Sequence, residues 1–81
     1  MPRQSIKTDK DGDLKKLGDA IRAARKTRGL SQEAFADAAG IDRSHMGKIE
    51  RGERNLSVLN LIRIAGALDD PASDILRAAG L

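Results

Sequence analysis

A chain of 81 residues has room for one domain, and at this size only a modest fraction of the unfolded surface can be buried. Hydrophobic residues make up 40% of the composition, but nearly all are Ala, Leu and Ile and Phe35 is the sole aromatic, a palette that suits helix–helix interfaces better than strands. The absence of cysteine excludes a disulfide-stapled secreted mini-protein and a thiolate metal site, and it is natural to a reducing cytoplasm. Fifteen Lys and Arg against twelve Asp and Glu give a formal charge of +3, compatible with a polyanionic partner. The basic residues concentrate in the acid-free set Arg22, Arg25, Lys26 and Arg28 and in a second cluster of Arg43, Lys48, Arg51 and Arg54 that also contains Glu50 and Glu53.

Met1 to Gly12 is polar, with Ile6 the only sizeable apolar residue after Met1. It reads as a flexible arm, and it offers neither a signal peptide nor a membrane span. Asp13 to Leu81 forms the folded domain in this reading. Leu14, Leu17, Ile21 and Ala24 recur at steps of three and four and predict a first helix, with Asp13 as its N-cap and Gly29 as its stop. Ser31 caps a second helix that runs through Ala39, with Phe35, Ala36 and Ala39 inward and Gly40 ending it. Asp42 caps a third, from Arg43 to about Arg51, in which Met46 and Ile49 are the only sizeable apolar residues. Ser57 caps a fourth helix through Leu68. Asp70 as N-cap and Pro71 at the first helical position open a short fifth, ending near Ala79. The expected fold is therefore all-α.

The third helix presents Arg43, Ser44, His45, Gly47 and Lys48 on its outward face. An α-helix fits the major groove of B-form DNA, where Arg, Lys and Ser side chains near the helix N-terminus can read base edges. An isolated polar helix face could equally be solvated, so the motifs around it matter. They are Arg28-Gly-Leu-Ser-Gln-Glu-Ala-Phe-Ala, Ala39-Gly-Ile-Asp, Ile49-Glu-Arg-Gly-Glu-Arg-Asn and Leu61-Ile-Arg-Ile-Ala-Gly-Ala-Leu.

Through these motifs the stretch from about Leu17 to Leu76 resembles the bacterial and phage helix-turn-helix regulators of the phage repressor and Cro type, the xenobiotic-response-element family. That resemblance implies a compact five-helix, lambda-repressor-like domain that binds a near-palindromic operator as a homodimer in the bacterial cytoplasm, associated with the nucleoid when bound. Carried over by position, it implies that Gln32 touches a phosphate and braces the reading helix and that Arg43, Ser44, His45 and Lys48 face bases. It also implies that Arg51, Arg54 and Asn55 hold the sugar-phosphate backbone, and that Arg25 and Glu50 pair across the first and third helices to fix the reader on the scaffold.

Two positions depart from the pattern. Leu56 stands where many members carry proline, and Leu59 where the residue is usually polar. On a helical wheel, Val58, Leu59, Leu61, Ile62, Ile64, Ala65 and Leu68 cover roughly 220°, about twice what one core-facing side needs. The surplus, with Ile75, Leu76 and Leu81, is expected to form the dimer interface, centred on Leu59 and Ile62. The run from Glu50 to Ala65 is similar to the controller proteins of restriction-modification systems, which are single-domain dimers of about this size.

No glycine-rich phosphate loop, paired histidines or nucleophile elbow is present, and His45 is the only histidine, so neither an enzyme nor a cofactor or metal site is expected. The alternative is an antitoxin-type interaction protein that neutralises a toxin and binds its own promoter, since such proteins share this fold. In that reading the arm would engage the toxin, but it lacks the spaced apolar anchors of a segment that folds on binding.

Overall fold

The protein, described as a computed structural model, is resolved in its placement over residues 9–81; most of the arm expected over residues 1–12 lies outside the described residues. A turn from Asp9 to Gly12 leads into α1 (Asp13–Thr27). The Asp9 carboxylate accepts hydrogen bonds from the amides of Asp13 and Leu14, both at 2.9 Å. The cap expected of Asp13 is thus supplied by Asp9. With Gly12 at φ 69° the chain folds back so that the earlier carboxylate meets the free amides of the first turn, and Asp13 is already helical.

The other polar caps follow the sequence more directly. The Ser31 hydroxyl accepts from the Ala34 amide at 3.0 Å to open α2 (Gln32–Ala39), and the Asp42 carboxylate accepts from His45 at 3.3 Å to open α3 (Arg43–Glu50). Ser57 accepts from Asn60 at 3.0 Å to open α4 (Val58–Leu68). Ahead of α5 (Ala72–Ala78) the expectation fails: Pro71 occupies the cap position with no side-chain hydrogen bond, and the Asp70 carboxylate instead pairs with Arg28 at 2.8 Å. That pair ties the end of α1 to the junction between α4 and α5.

Between α2 and α3 the chain reverses through Gly40 at φ 69°, a conformation a side chain would strain. The Ile41 amide reaches back to the Ala36 carbonyl at 2.9 Å, and the Ile41 side chain is buried immediately afterwards. A hydrogen-bonded reversal followed by an apolar anchor sets the angle at which α3 leaves α2.

The core is shared by all five helices: Leu17 and Ile21 from α1, Phe35, Ala36 and Ala39 from α2, Met46 and Ile49 from α3, Leu61, Ile64, Ala65 and Leu68 from α4, and Ile75 from α5. Helix α3 packs on α1 and α2, α2 on α4, and α5 on α1 and α4. Ile75, expected on a partner surface, is only 3% exposed, because α5 folds back and turns that side chain inward. Leu76 is half-buried against the same core, while Leu81 stays 51% exposed. Among the described residues no helix is long and apolar enough to cross a membrane.

Where α3 ends, backbone meets backbone. A Cβ built on Gly18 would lie 2.5 Å from the Ile49 carbonyl oxygen and 2.7 Å from that of Glu50. One on Gly52, itself at φ 74°, would lie 2.7 Å from the Cα of Lys15. Mid-helix glycine normally loses about 1 kcal/mol relative to alanine, so space alone makes Gly18 favourable here. Gly18→Ala is therefore expected to destabilise the fold by roughly 1–3 kcal/mol. In thermal unfolding that corresponds to a midpoint lowered on the order of 10 °C; a raised midpoint would refute the close approach of α1 and α3.

Candidate nucleic-acid interface

Helix α3 has two chemically distinct faces. At 100° per residue, Arg43, Ser44, Gly47, Lys48 and Arg51 fall within about 140° of arc; outside it lie Met46 and Ile49 on the far side and Glu50 at the border, about 20° from Arg43. The second set is buried, whereas Arg43, Ser44 and Arg51 are exposed and Lys48 is half-buried. His45 lies about 60° beyond Lys48, next to the buried side, and is half-buried. It stands at the margin of the polar face and not among its central residues. Gly47 was expected on the open face but is buried, since a Cβ there would come within 3.2 Å of Arg51 Nη1 and 3.4 Å of Gln32 Oε1. The two long side chains close over it.

What holds α3 is charged. The Arg25 guanidinium donates from Nε to Glu50 Oε2 at 2.8 Å and from Nη2 to Oε1 at 3.0 Å, while its Nη1 donates to the Leu30 carbonyl at 2.9 Å. Gln32 Nε2 also donates to Glu50 Oε1, at 3.2 Å. The Arg25 and Glu50 side chains are 11% and 2% exposed. A planar fork matched to a carboxylate fixes orientation as well as distance, so the pair aligns α1, α3 and the start of α2 at once. Among the described residues no buried side-chain nitrogen or oxygen lacks a hydrogen-bond partner, so the buried charges are fully answered.

Beyond α3, Arg51, Arg54 and Asn55 are all exposed, on the loop side of the same face. Arg51 is not idle: its Nε and Nη2 donate to Glu53 at 3.0 and 3.3 Å. That hydrogen bond, reinforced by the charges of Arg51, Lys48 and Arg54, holds the Glu53 carboxyl below the usual carboxylate range. The Glu53 carboxyl therefore stays ionised at neutral pH and takes up a proton only on acidification through that lowered value. The sequence places Glu53 inside the second basic cluster, and the structure gives it a partner there in Arg51.

A groove of 620 Å³ runs between α1 and the ends of α2 and α3, and a recess of 220 Å³ lies beside Arg43 and Ser44; Gln32, Gly47 and Arg51 line both. The outer face of α4 exposes Val58 at 74%, Leu59 at 57% and Ile62 at 56%. The surplus of apolar residues on α4 is thus exposed, with Leu59 and Ile62 outside the core, whereas Ile75 of α5 lies within it.

Comparison with known proteins agrees with this arrangement. Residues 21–72 match the family model described as Helix-turn-helix. Control protein C.SmaI of Serratia marcescens is 37% identical over 70 residues, which cover 85% of this chain and 83% of its own. The crystal structure of the restriction-modification controller protein C.AhdI from Aeromonas hydrophila aligns with a TM-score of 0.78 at 44% identity, over 79% of this chain and 97% of that one. The biofilm master regulator SinR, solved in complex with DNA, aligns with a TM-score of 0.70 at 31% identity, over 74% of this chain and 97% of its own.

Removing one partner of a buried ion pair leaves the other charge unanswered. Glu50→Ala is expected to destabilise the protein by about 3–5 kcal/mol in urea unfolding, and the double variant Arg25→Met with Glu50→Leu to regain much of that loss. A loss for Glu50→Ala below about 1 kcal/mol would mean that the pair behaves as an exposed one.

Proposed function

The chain belongs to the helix-turn-helix family of Cro/C1-type regulators, and from that membership we propose that it is a sequence-specific transcriptional regulator that binds double-stranded DNA as a homodimer on a near-palindromic operator. The observation that carries the reading is the division of α3, whose apolar and anionic side is buried while Arg43, Ser44 and Lys48 point away from the core. In this reading α3 enters the major groove. Arg43, Ser44 and Lys48 read base edges there with His45 at their margin, and Gln32, Arg51, Arg54 and Asn55 grip the backbone. The likeness to C.SmaI and C.AhdI supports a stand-alone controller of a restriction-modification system. Nothing in the fold or its relatives favours the antitoxin alternative.

The dimer reading rests on α4. Leu59 and Ile62 are three residues apart on one helical face, with Val58 beside them, and exposed apolar patches on small proteins mark interfaces. Gly66 continues the stripe one turn on; a Cβ there would meet nothing within 4 Å, which leaves room for a partner's backbone. A two-fold axis through this face lets two α3 helices read half-sites about 34 Å apart, one per arm of an inverted repeat.

Two experiments test these assignments. Arg43→Ala or Lys48→Ala is expected to lose about 1–3 kcal/mol at particular base pairs, whereas Arg54→Ala weakens all duplexes alike and flattens the salt dependence. Equal losses for Arg43→Ala on cognate and scrambled sites would move that residue to the backbone. In sedimentation equilibrium the wild type is expected near twice 8.7 kDa, and Leu59→Asp is expected to be a helical monomer with weakened operator binding. A wild type that remains monomeric at tens of micromolar while binding a full site tightly would sink the dimer.

A further inference from the structure

The groove beside the reading face points to a contact outside the helix-turn-helix. Its walls include Lys15, Asp19 and Arg22 on α1, the paired Arg25 and Glu50, and Glu53, together with Gln32, Gly47 and Arg51, and the last three also line the recess next to Arg43 and Ser44. The groove is therefore the continuation of the DNA-facing surface onto α1. Most of its cations are already answered by carboxylates. Lys15 is held by Asp19 at 2.6 Å, Arg25 by Glu50, and Arg51 by Glu53. Arg22 is exposed and has no carboxylate within ion-pair distance among the described residues. One helical turn before the locked Arg25, on a helix whose backbone is pressed against the end of α3, Arg22 has its position relative to the reading helix fixed by the core.

We propose that Arg22 binds a backbone phosphate of the operator, a contact made from α1 that extends the footprint beyond α2 and α3. A guanidinium offers a planar pair of donors that matches two phosphate oxygens, and a phosphodiester lying in the groove would meet this cation without displacing an existing ion pair. Because a phosphate carries no sequence information, the contact strengthens binding to every duplex and leaves base preference unchanged. The inference rests on the proposed DNA-binding function, and the experiment separates the two.

Binding of the full chain to an operator duplex and to a scrambled duplex is measured across a salt series for the wild type, Arg22→Gln, Arg22→Lys and Lys16→Gln. Lys16 lies on the same helix, is exposed and does not line the groove, so it controls for the general loss of one positive charge. Arg22→Gln is expected to weaken both duplexes by the same factor, about three- to ten-fold, and to reduce the slope of log affinity against log salt by about 0.9. Arg22→Lys should restore part of the affinity, and Lys16→Gln should stay within two-fold or so of the wild type. Neutral methylphosphonates placed one at a time along the operator supply the second readout. One position should weaken the wild type yet leave Arg22→Gln unaffected. If the wild type binds its operator but Arg22→Gln matches Lys16→Gln, or no methylphosphonate position is coupled to Arg22, the phosphate contact is overturned and the regulator reading stands. A wild type that binds no duplex overturns both.

Discussion

Everything outward-facing on α3 depends on one buried ion pair. Arg25 on α1 and Glu50 on α3 lie 25 residues apart in the chain, and their two hydrogen bonds at 2.8 and 3.0 Å fix the roll of α3 about its own axis. Apolar packing alone would be a looser guide, because α3 brings only Met46 and Ile49 to the core and a two-residue stripe tolerates rotation. Arg25 Nη1 and the Gln32 amide draw the α1–α2 turn and the start of α2 into the same cluster. The direction of Arg43 and Lys48 is thus set by electrostatics beneath the helix, and the glycine contacts set how deeply the helix sits.

Much of this was legible in the chain itself. Ser31, Asp42 and Ser57 each cap the helix assigned to them, since a short oxygen-bearing side chain ahead of an apolar period leaves few other readings. The stripe of Leu17 and Ile21 and the inward set of Phe35, Ala36 and Ala39 follow from period alone. Other features depend on where the chain goes next. Asp9 displaces Asp13 as a cap because a turn carries it back, and Asp70 leaves its expected cap for Arg28, a partner 42 residues away. A wheel drawn on α4 counts that helix's surplus apolar residues but says nothing of how α5 folds back, which carries Ile75 into the core and away from the partner surface expected of it. The Arg25–Glu50 pair came from family resemblance, because no local pattern selects two charges among so many. Mid-helix Gly18 is itself a local signal, because glycine is unfavourable inside a helix unless another backbone passes close by.

The basic face is also tempered. Glu53 sits among Lys48, Arg51 and Arg54, and Asp19 answers Lys15, so the surface around α3 alternates in sign instead of presenting one broad positive field. A uniformly cationic surface would adhere to any polyanion, whereas paired cations favour ligands whose charges fall in the right places. For a protein proposed to find one site among many, that tempering limits residence on the rest.

The division of α3 into two faces has a consequence for how such a protein can change. Arg43, Ser44 and Lys48 take no part in the hydrophobic core, and none of them makes a side-chain hydrogen bond within the described residues. Folding therefore sets few demands on what occupies those positions, and exchanging them leaves the Arg25–Glu50 lock and the core as they are. Under the proposed role of α3, target preference and foldability are separable properties: the vocabulary can be rewritten one side chain at a time while the scaffold that speaks it stays the same.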